Sequence, residues 1–321
     1  MNARWTAGSS VAQKLMKLAF AGTPDFAATV LRGLLASEHE VGLVISQPNR
    51  RRGRGRKLYA TPVAALAQEN GLPLRQPARI GEVAEEISEY DALVVAAYGQ
   101  ILRPDTLYAA GEGAWNVHAS LLPAYRGAAP IERAIMTGEV ETGVSIMRMD
   151  EGLDTGPVAL QCPTSIPPQM TGGELTQVLA ELGAKAIVET MSRLEENSLT
   201  LSQQDNLNAT YAPKLEDEDK VIRWGDRVEK VHDLVRALTP HIGARTFHPE
   251  ISGPIKVLRS GMLRDELSHA EPGTILPAKG RVLVACRDGI LEILALQMPG
   301  GRPLAAENFL RGKRLAGIFL Y

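Results

Sequence analysis

Cysteine is scarce, with two residues, Cys162 and Cys286, in a chain of 321. They lie far apart in apolar runs, which excludes a disulfide framework and predicts reduced core thiols in a cytosolic protein. Long apolar runs are also missing, because Asp, Glu, Lys, Arg, Gly or Pro interrupts each one before the roughly 18 residues of a membrane span. No membrane association is expected. Residues 1 to 14 lack the apolar core of a secretory signal and read as a frayed start. A formal net charge of -2 excludes holding a polyanion by bulk charge and leaves only a local basic surface for that purpose. No G-x-G-x-x-G is present, so a dinucleotide site has little support. What the chain does have is 45% apolar residues, enough for an ample core, and a length that suits two domains.

From Lys17 to about Leu194 short apolar runs alternate with helical patterns, which predicts an α/β domain with a largely parallel sheet. Strands buried on both faces are expected at Lys17 to Ala21, Glu40 to Ser46, Ala92 to Ala97 and Ala114 to His118. Thr23 is expected to cap the first helix, with Pro24 in its first position. The sequence Thr171-Gly-Gly-Glu174 reads as a capping box opening the domain's last helix. Between Glu195 and Leu215 the pattern dissolves into Asn, Gln, Ser and Thr, which reads as a linker. Beyond it come a helix carrying Val228, Val231, Leu234, Val235 and Leu238, then strands at Ile255 to Val257, Val282 to Cys286 and Leu291 to Leu296. The expected organisation is therefore one domain over 15–200, a linker over 201–213, and a small strand-rich domain over 214–321.

Asn116 and His118 lie two apart at the carboxyl end of a predicted strand, so both side chains project from one face into the crevice where such sheets bind ligands. An amide can donate to an oxygen that turns negative, and an imidazole can take or give a proton. Asp154, between Gly152 and Gly156, supplies a carboxylate that can orient the imidazole and accept a proton from an amine. Together they suit acyl transfer to an amine. Taken singly, each also fits a structural histidine after a strand and an Asp in a turn. Spacing alone does not decide between them.

The ordered string Asn116-x-His118-x-Ser120-Leu121-Leu122-Pro123-x-x-Arg126-Gly127-x-x-Pro130, followed by Leu153-Asp154-Thr155-Gly156, resembles the signature of formyltransferases that use 10-formyltetrahydrofolate. Gly22-Thr23-Pro24-Asp25-Phe26-Ala27, Ala96-Ala97-Tyr98-Gly99-Gln100-Ile101-Leu102 and Met149 to Gly156 resemble, within that superfamily, the methionyl-tRNA formyltransferases. The resemblance runs from about Lys17 to the end. It implies a Rossmann-like, mostly parallel sheet in the N-terminal domain and a smaller, OB-like β-barrel in the C-terminal, tRNA-binding domain. It also implies catalytic roles for Asn116, His118 and Asp154, and a folate cleft edged by Tyr98, Gly99, Gln100, Ile101 and Leu102 and by Glu151 to Asp154. Ser120, Leu121, Leu122 and Pro123 fall in the adjoining loop and are assigned to the same folate site, although Leu121-Leu122-Pro123 also reads as packing and turn. Arg126 could hold a carboxylate or the loop itself.

Arg50-Arg51-Arg52-Gly53-Arg54-Gly55-Arg56-Lys57 is the chain's densest run of positive charge. Like charges on neighbouring residues oppose a compact fold, so this segment is expected to stay mobile until a polyanion orders it. The resemblance implies that Arg50, Arg51, Arg52, Arg54, Arg56 and Lys57 meet the acceptor-stem region of a tRNA. Trp224, Arg223, Arg245, Lys256, Arg259 and Arg264 are candidates for an RNA-binding face of the second domain.

The implied reaction is attack by the α-amine of methionyl-initiator tRNA on the formyl carbon of 10-formyltetrahydrofolate, in a cytoplasmic monomer, with no metal. Asp154 is expected to remove the proton while His118 and Asn116 hold the oxyanion. A folate-dependent enzyme acting on an amino sugar, a formyltetrahydrofolate hydrolase and a non-catalytic RNA-binding protein are the alternatives.

Overall fold

The structure is a computed structural model that describes residues 15–52, 57–263, 268–311 and 316–321. Arg54, Arg56 and Arg264, the start of the chain through residue 14, and the side chains of Arg50, Arg51, Arg52 and Lys57 lie outside the described residues.

The chain forms two compact units. One runs to Asn116 and takes in Ile187–Leu201; the other comprises Val117–Ala186 and Ser202–Tyr321. The first contains β1 (Lys17–Gly22), α1 (Asp25–Leu35), β2 (Glu40–Ile45), β3 (Arg50–Arg52), β4 (Lys57–Tyr59), α2 (Pro62–Glu69) and β5 (Leu74–Arg75). It continues through α3 (Ala84–Ile87), β6 (Ala92–Ala96) and α4 (Pro104–Leu107) into β7 (Ala114–His118). Strand β7 carries the chain into the second unit, since Asn116 closes one and Val117 opens the other.

Strands β1, β2, β5, β6 and β7 pair in parallel, and in the continuous apolar runs of β1 and β6 Leu18, Ala19, Phe20, Leu93 and Val94 have no exposed surface. The full sheet order is β5-β2-β1-β6-β7-β8-β9, with β8 (Glu141–Arg148) and β9 (Val158–Ser165) joined as an antiparallel hairpin after α5 (Pro130–Met136). This is the expected mostly parallel sheet. The hairpin has no counterpart among the predicted strands, because Pro163 interrupts β9, a position that an edge strand tolerates. Gly143 permits its close pairing, as a Cβ there would lie 2.3 Å from the Cys162 carbonyl oxygen. Cys162 is only partly buried on this edge, contrary to its reading as a core thiol, whereas Cys286 is buried.

Thr23 does not cap α1. Its hydroxyl donates instead to the Tyr98 carbonyl at 2.9 Å, and Pro24 takes the N-cap position. The 24-residue helix α6 (Gly172–Glu195) starts on the expected capping box: Thr171 N–H donates to Glu174 Oε2 at 2.8 Å, and Glu174 N–H returns a bond to Thr171 Oγ1 at 3.3 Å.

The remaining elements are α7 (Val228–Ala237), β10 (Ala244–His248), β11 (Ile251–Leu263), β12 (Ile275–Leu276), β13 (Val282–Ala285), β14 (Ile290–Gln297), β15 (Pro303–Ala305) and α8 (Ala306–Leu310). Antiparallel pairing gives the order β10-β11-β14-β13-β12, with β15 beside β14. Bridges from Phe247 to Leu320 and from Thr274 to Ile318 tie the two outer strands to the last residues, so the sheet curls into a half-barrel. Its core holds Trp224 stacked on Phe319 at 5.7 Å, together with Val231, Val235, Val257, Leu291 and Ile293.

Candidate functional site

The short strand β7 ends in His118, which is 5% exposed. Its Nε2 lies 3.0 Å from the Tyr125 carbonyl oxygen, an acceptor only, so this nitrogen carries the hydrogen. Nδ1 is thereby left to face Asp154, whose Oδ2 stands 3.7 Å away. The same oxygen accepts the Gly127 N–H at 2.8 Å. Asp154 sits in the left-handed region at φ 52°, a conformation that costs a non-glycine residue about 1–3 kcal/mol. A residue held there must be fixed by its surroundings.

Arg126 is 2% exposed and holds the loop. Its guanidinium bonds Gln204 Oε1 through Nε at 3.1 Å and Nη2 at 2.7 Å, and Nη2 also reaches Asn206 Oδ1 at 2.8 Å. Gln204 in turn donates to the carbonyls of Asp154 and Gly156 at 2.8 and 2.7 Å. Main-chain bonds continue the contact: Arg126 N–H to Thr210 O at 2.9 Å, Ala212 N–H to Arg126 O at 2.7 Å and Ala129 N–H to Ala212 O at 3.1 Å. The stretch read from sequence as a linker thus lies against the loop at 123–129.

Ser120 is fully buried, and its hydroxyl donates to Ala124 O at 2.6 Å. Ser145 Oγ donates to Ser120 O and accepts Leu122 N–H, while Gln161 Nε2 donates to Leu122 O. Ser120 and the buried Leu122 therefore shape the loop from within. Ser145, Gln161, Gln204 and Asn206 were not singled out in the sequence; their only mark there is a polar residue in a strand or in a polar stretch.

In the first unit Tyr98 is buried, and Thr23 donates to its main-chain carbonyl. Burial pushes its phenol up to about 12, and the hydroxyl has no hydrogen-bond partner among the described residues. Gly99 takes φ 88°, a conformation that suits glycine. Gln100 accepts Ile80 N–H and donates to Ala78 O, both at 3.0 Å, leaving Ile101 91% exposed and Leu102 buried. Among the described residues no group of His, Cys, Asp and Glu is arranged to hold a metal ion.

Residues 16–191 match the formyl transferase family, and residues 214–314 match the formyl transferase C-terminal domain. The methionyl-tRNA formyltransferase of Rubrobacter xylanophilus is 63% identical to this chain, covering 94% of it and 99% of the relative. That of Carboxydothermus hydrogenoformans is 45% identical over 93% of this chain and 97% of its own. This chain belongs to the methionyl-tRNA formyltransferase family. An N-formyltransferase from Helicobacter canadensis, solved with folinic acid and dTDP-3-aminofucose, shares the fold at a TM-score of 0.66 and 20% identity, over 87% of this chain and 98% of that one.

Two features of this family member differ from their sequence reading. The basic run is not wholly irregular: β3 and β4 pair antiparallel, with Arg50 opposite Tyr59, Arg51 opposite Leu58 and Arg52 opposite Lys57. Main-chain ladder bonds form whatever the side-chain charge, and repulsion between cations is screened over about 10 Å in 0.1 M salt. Trp224 is 1% exposed, with its indole N–H on Thr246 Oγ1 at 2.9 Å, so it belongs to the core and presents no RNA-binding face. No helix among the described residues is long and apolar enough to cross a membrane.

Proposed function

We infer that this enzyme transfers the formyl group of 10-formyltetrahydrofolate to the free α-amine of methionyl-initiator tRNA, giving the formylmethionyl-tRNA used in translation initiation. The observation that carries this reading is the His118–Asp154–Gly127 cluster, in a chain 63% identical to a methionyl-tRNA formyltransferase along 94% of its length.

An α-amine titrates near 8, so a fraction is already nucleophilic at neutral pH. Its nitrogen bonds to the formyl carbon, and the carbonyl oxygen turns negative. Asp154 takes the proton from the new ammonium. His118, whose Nε2–H is committed to the Tyr125 carbonyl and whose Nδ1 faces Asp154, and Asn116 are the groups we assign to holding the oxyanion. As the oxyanion collapses, the bond from carbon to the folate nitrogen breaks and the proton taken up by Asp154 passes to that nitrogen, which releases tetrahydrofolate. Folate binding is assigned to Tyr98 to Leu102 and to the loop from Ser120 to Pro123, which the buried Ser120 and Leu122 shape from within. The basic run Arg50, Arg51, Arg52, Arg54, Arg56 and Lys57 meets tRNA phosphates. The catalytic domain spans 15–200, 201–213 is the connecting segment, and 214–321 binds tRNA. The enzyme works as a cytoplasmic monomer.

The test is an assay with 10-formyltetrahydrofolate and three acceptors: methionine-charged initiator tRNA, an amino-sugar nucleotide and water. Formylated methionyl-tRNA is the expected product; transfer only to the sugar or to water would replace this reading.

A further inference from the structure

Gln204 uses its side chain to capacity. A primary amide offers two N–H donors and two acceptor sites. Here both donors end on carbonyls of one turn, Asp154 O at 2.8 Å and Gly156 O at 2.7 Å. Both acceptor sites take N–H groups of Arg126, at 3.1 and 2.7 Å. The turn it grips is the one in which Asp154 adopts φ 52°, and Arg126 immediately precedes Gly127, whose N–H holds the Asp154 carboxylate. One half-buried side chain therefore ties together the backbone that carries the carboxylate and the backbone that orients it. Asn206 adds a second bond to Arg126, and Thr210 and Ala212 fix the Arg126 main chain. The bonds of Gln204 reach Arg126 and the main-chain carbonyls of Asp154 and Gly156.

We propose that Gln204 is a positioning residue for formyl transfer, which sets the Asp154 carboxylate against His118 and Gly127 by bridging the 154–156 turn to Arg126. The proposal rests on the assignment of Asp154 to the reaction made above. Two variants separate the parts of the bridge. Gln204→Glu keeps an oxygen for Arg126 but removes both donors and sets a carboxylate oxygen against two carbonyls. Gln204→Leu removes every bond. Misplacing a reacting group by about 1 Å costs on the order of 10²-fold in rate.

The full-length protein and both variants are compared for kcat and KM with each substrate, for Tm, and for amide hydrogen exchange at Gly127 and Ala212. In both variants kcat should fall about 10- to 100-fold while KM stays within about threefold, since neither substitution removes a group assigned to substrate binding. In Gln204→Glu the Gly127 amide should exchange at least about tenfold faster, while Ala212, bonded to the Arg126 carbonyl, keeps its protection. Unchanged kcat, a loss expressed wholly in KM, or unchanged Gly127 exchange overturns the proposal. Unfolding of both variants at assay temperature also overturns it, by assigning Gln204 to the fold alone. If the unmodified enzyme forms no formylmethionyl-tRNA, the assigned reaction fails, whereas the exchange measurement still decides whether Gln204 positions the Gly127–Asp154 contact.

Discussion

Asp154 Oδ2 accepts the Gly127 N–H at 2.8 Å and stands 3.7 Å from His118 Nδ1, so a single oxygen is fixed by the backbone and directed at the imidazole. Asp154→Asn keeps an oxygen for Gly127 and removes the charge. Turnover should fall roughly 10²- to 10⁴-fold in folded protein, and loss of the donor in His118→Ala or Asn116→Ala should cost about 10²- to 10³-fold. Steady-state rates checked beside circular dichroism spectra test this; near-full turnover would reject the assignment.

Gly127 tolerates no side chain. Its φ is 120°, and an added Cβ would lie 2.7 Å from the Ala212 carbonyl oxygen. Gly127→Ala should therefore lower stability by about 1–3 kcal/mol and displace the N–H that holds Asp154. Denaturant unfolding reads the first effect, and kcat the second.

Arg133 grips Asp219 through bonds of 3.0 and 2.6 Å, and these hold the Asp219 carboxyl below its ordinary range. A carboxylate with a lowered folded-state pKa contributes stability above its unfolded value near 4, and that contribution disappears as pH falls through the lowered value. Asp219→Asn should lose on the order of 1 kcal/mol at pH 7, the pair being partly exposed, and should match the parent protein once the Asp219 carboxyl of the parent is protonated. Thermal unfolding from pH 7 down to about 2 tests it; a gap that persists in acid would contradict it.

The buried Tyr98 hydroxyl gives the opposite expectation. It is desolvated without a hydrogen-bond partner among the described residues, a state that costs about 1–3 kcal/mol. Tyr98→Phe should leave stability unchanged or raise it by up to that amount. A lower unfolding midpoint in urea would show that the hydroxyl is bonded after all.

Much of this was legible in the sequence. Strand β7 spans the predicted residues, because a continuous apolar run between turn residues has few other ways to bury itself. The Thr171–Glu174 capping box formed as written, being a local device. The His118 and Asp154 positions came from an ordered string and a resemblance, not from spacing. Gln204 was hidden, since its partners lie 48 to 78 residues away and a glutamine in a polar stretch follows no periodicity. Trp224, among the candidates for an RNA-binding face, misled for a related reason: only long-range pairing with Phe319 reveals a core residue.

The basic hairpin should govern how binding responds to ions. For every phosphate-bound cation made neutral among Arg50, Arg51, Arg52, Arg54, Arg56 and Lys57, the slope of log K against log salt should shrink by roughly 0.7–0.9. Titrations of tRNA at several salt concentrations measure it, and an unchanged slope would remove the hairpin from the interface.

The embrace of the 123–129 loop by the main chain at 210–212 has a consequence for biosynthesis. A ribosome has to release the polypeptide beyond Ala212 before Arg126 and Ala129 acquire their partners, so the nascent enzyme passes through a long stage in which the strand bearing His118 is already made and the 123–129 loop still lacks these bonds. The loop is completed late in translation, by a segment more than 80 residues beyond it.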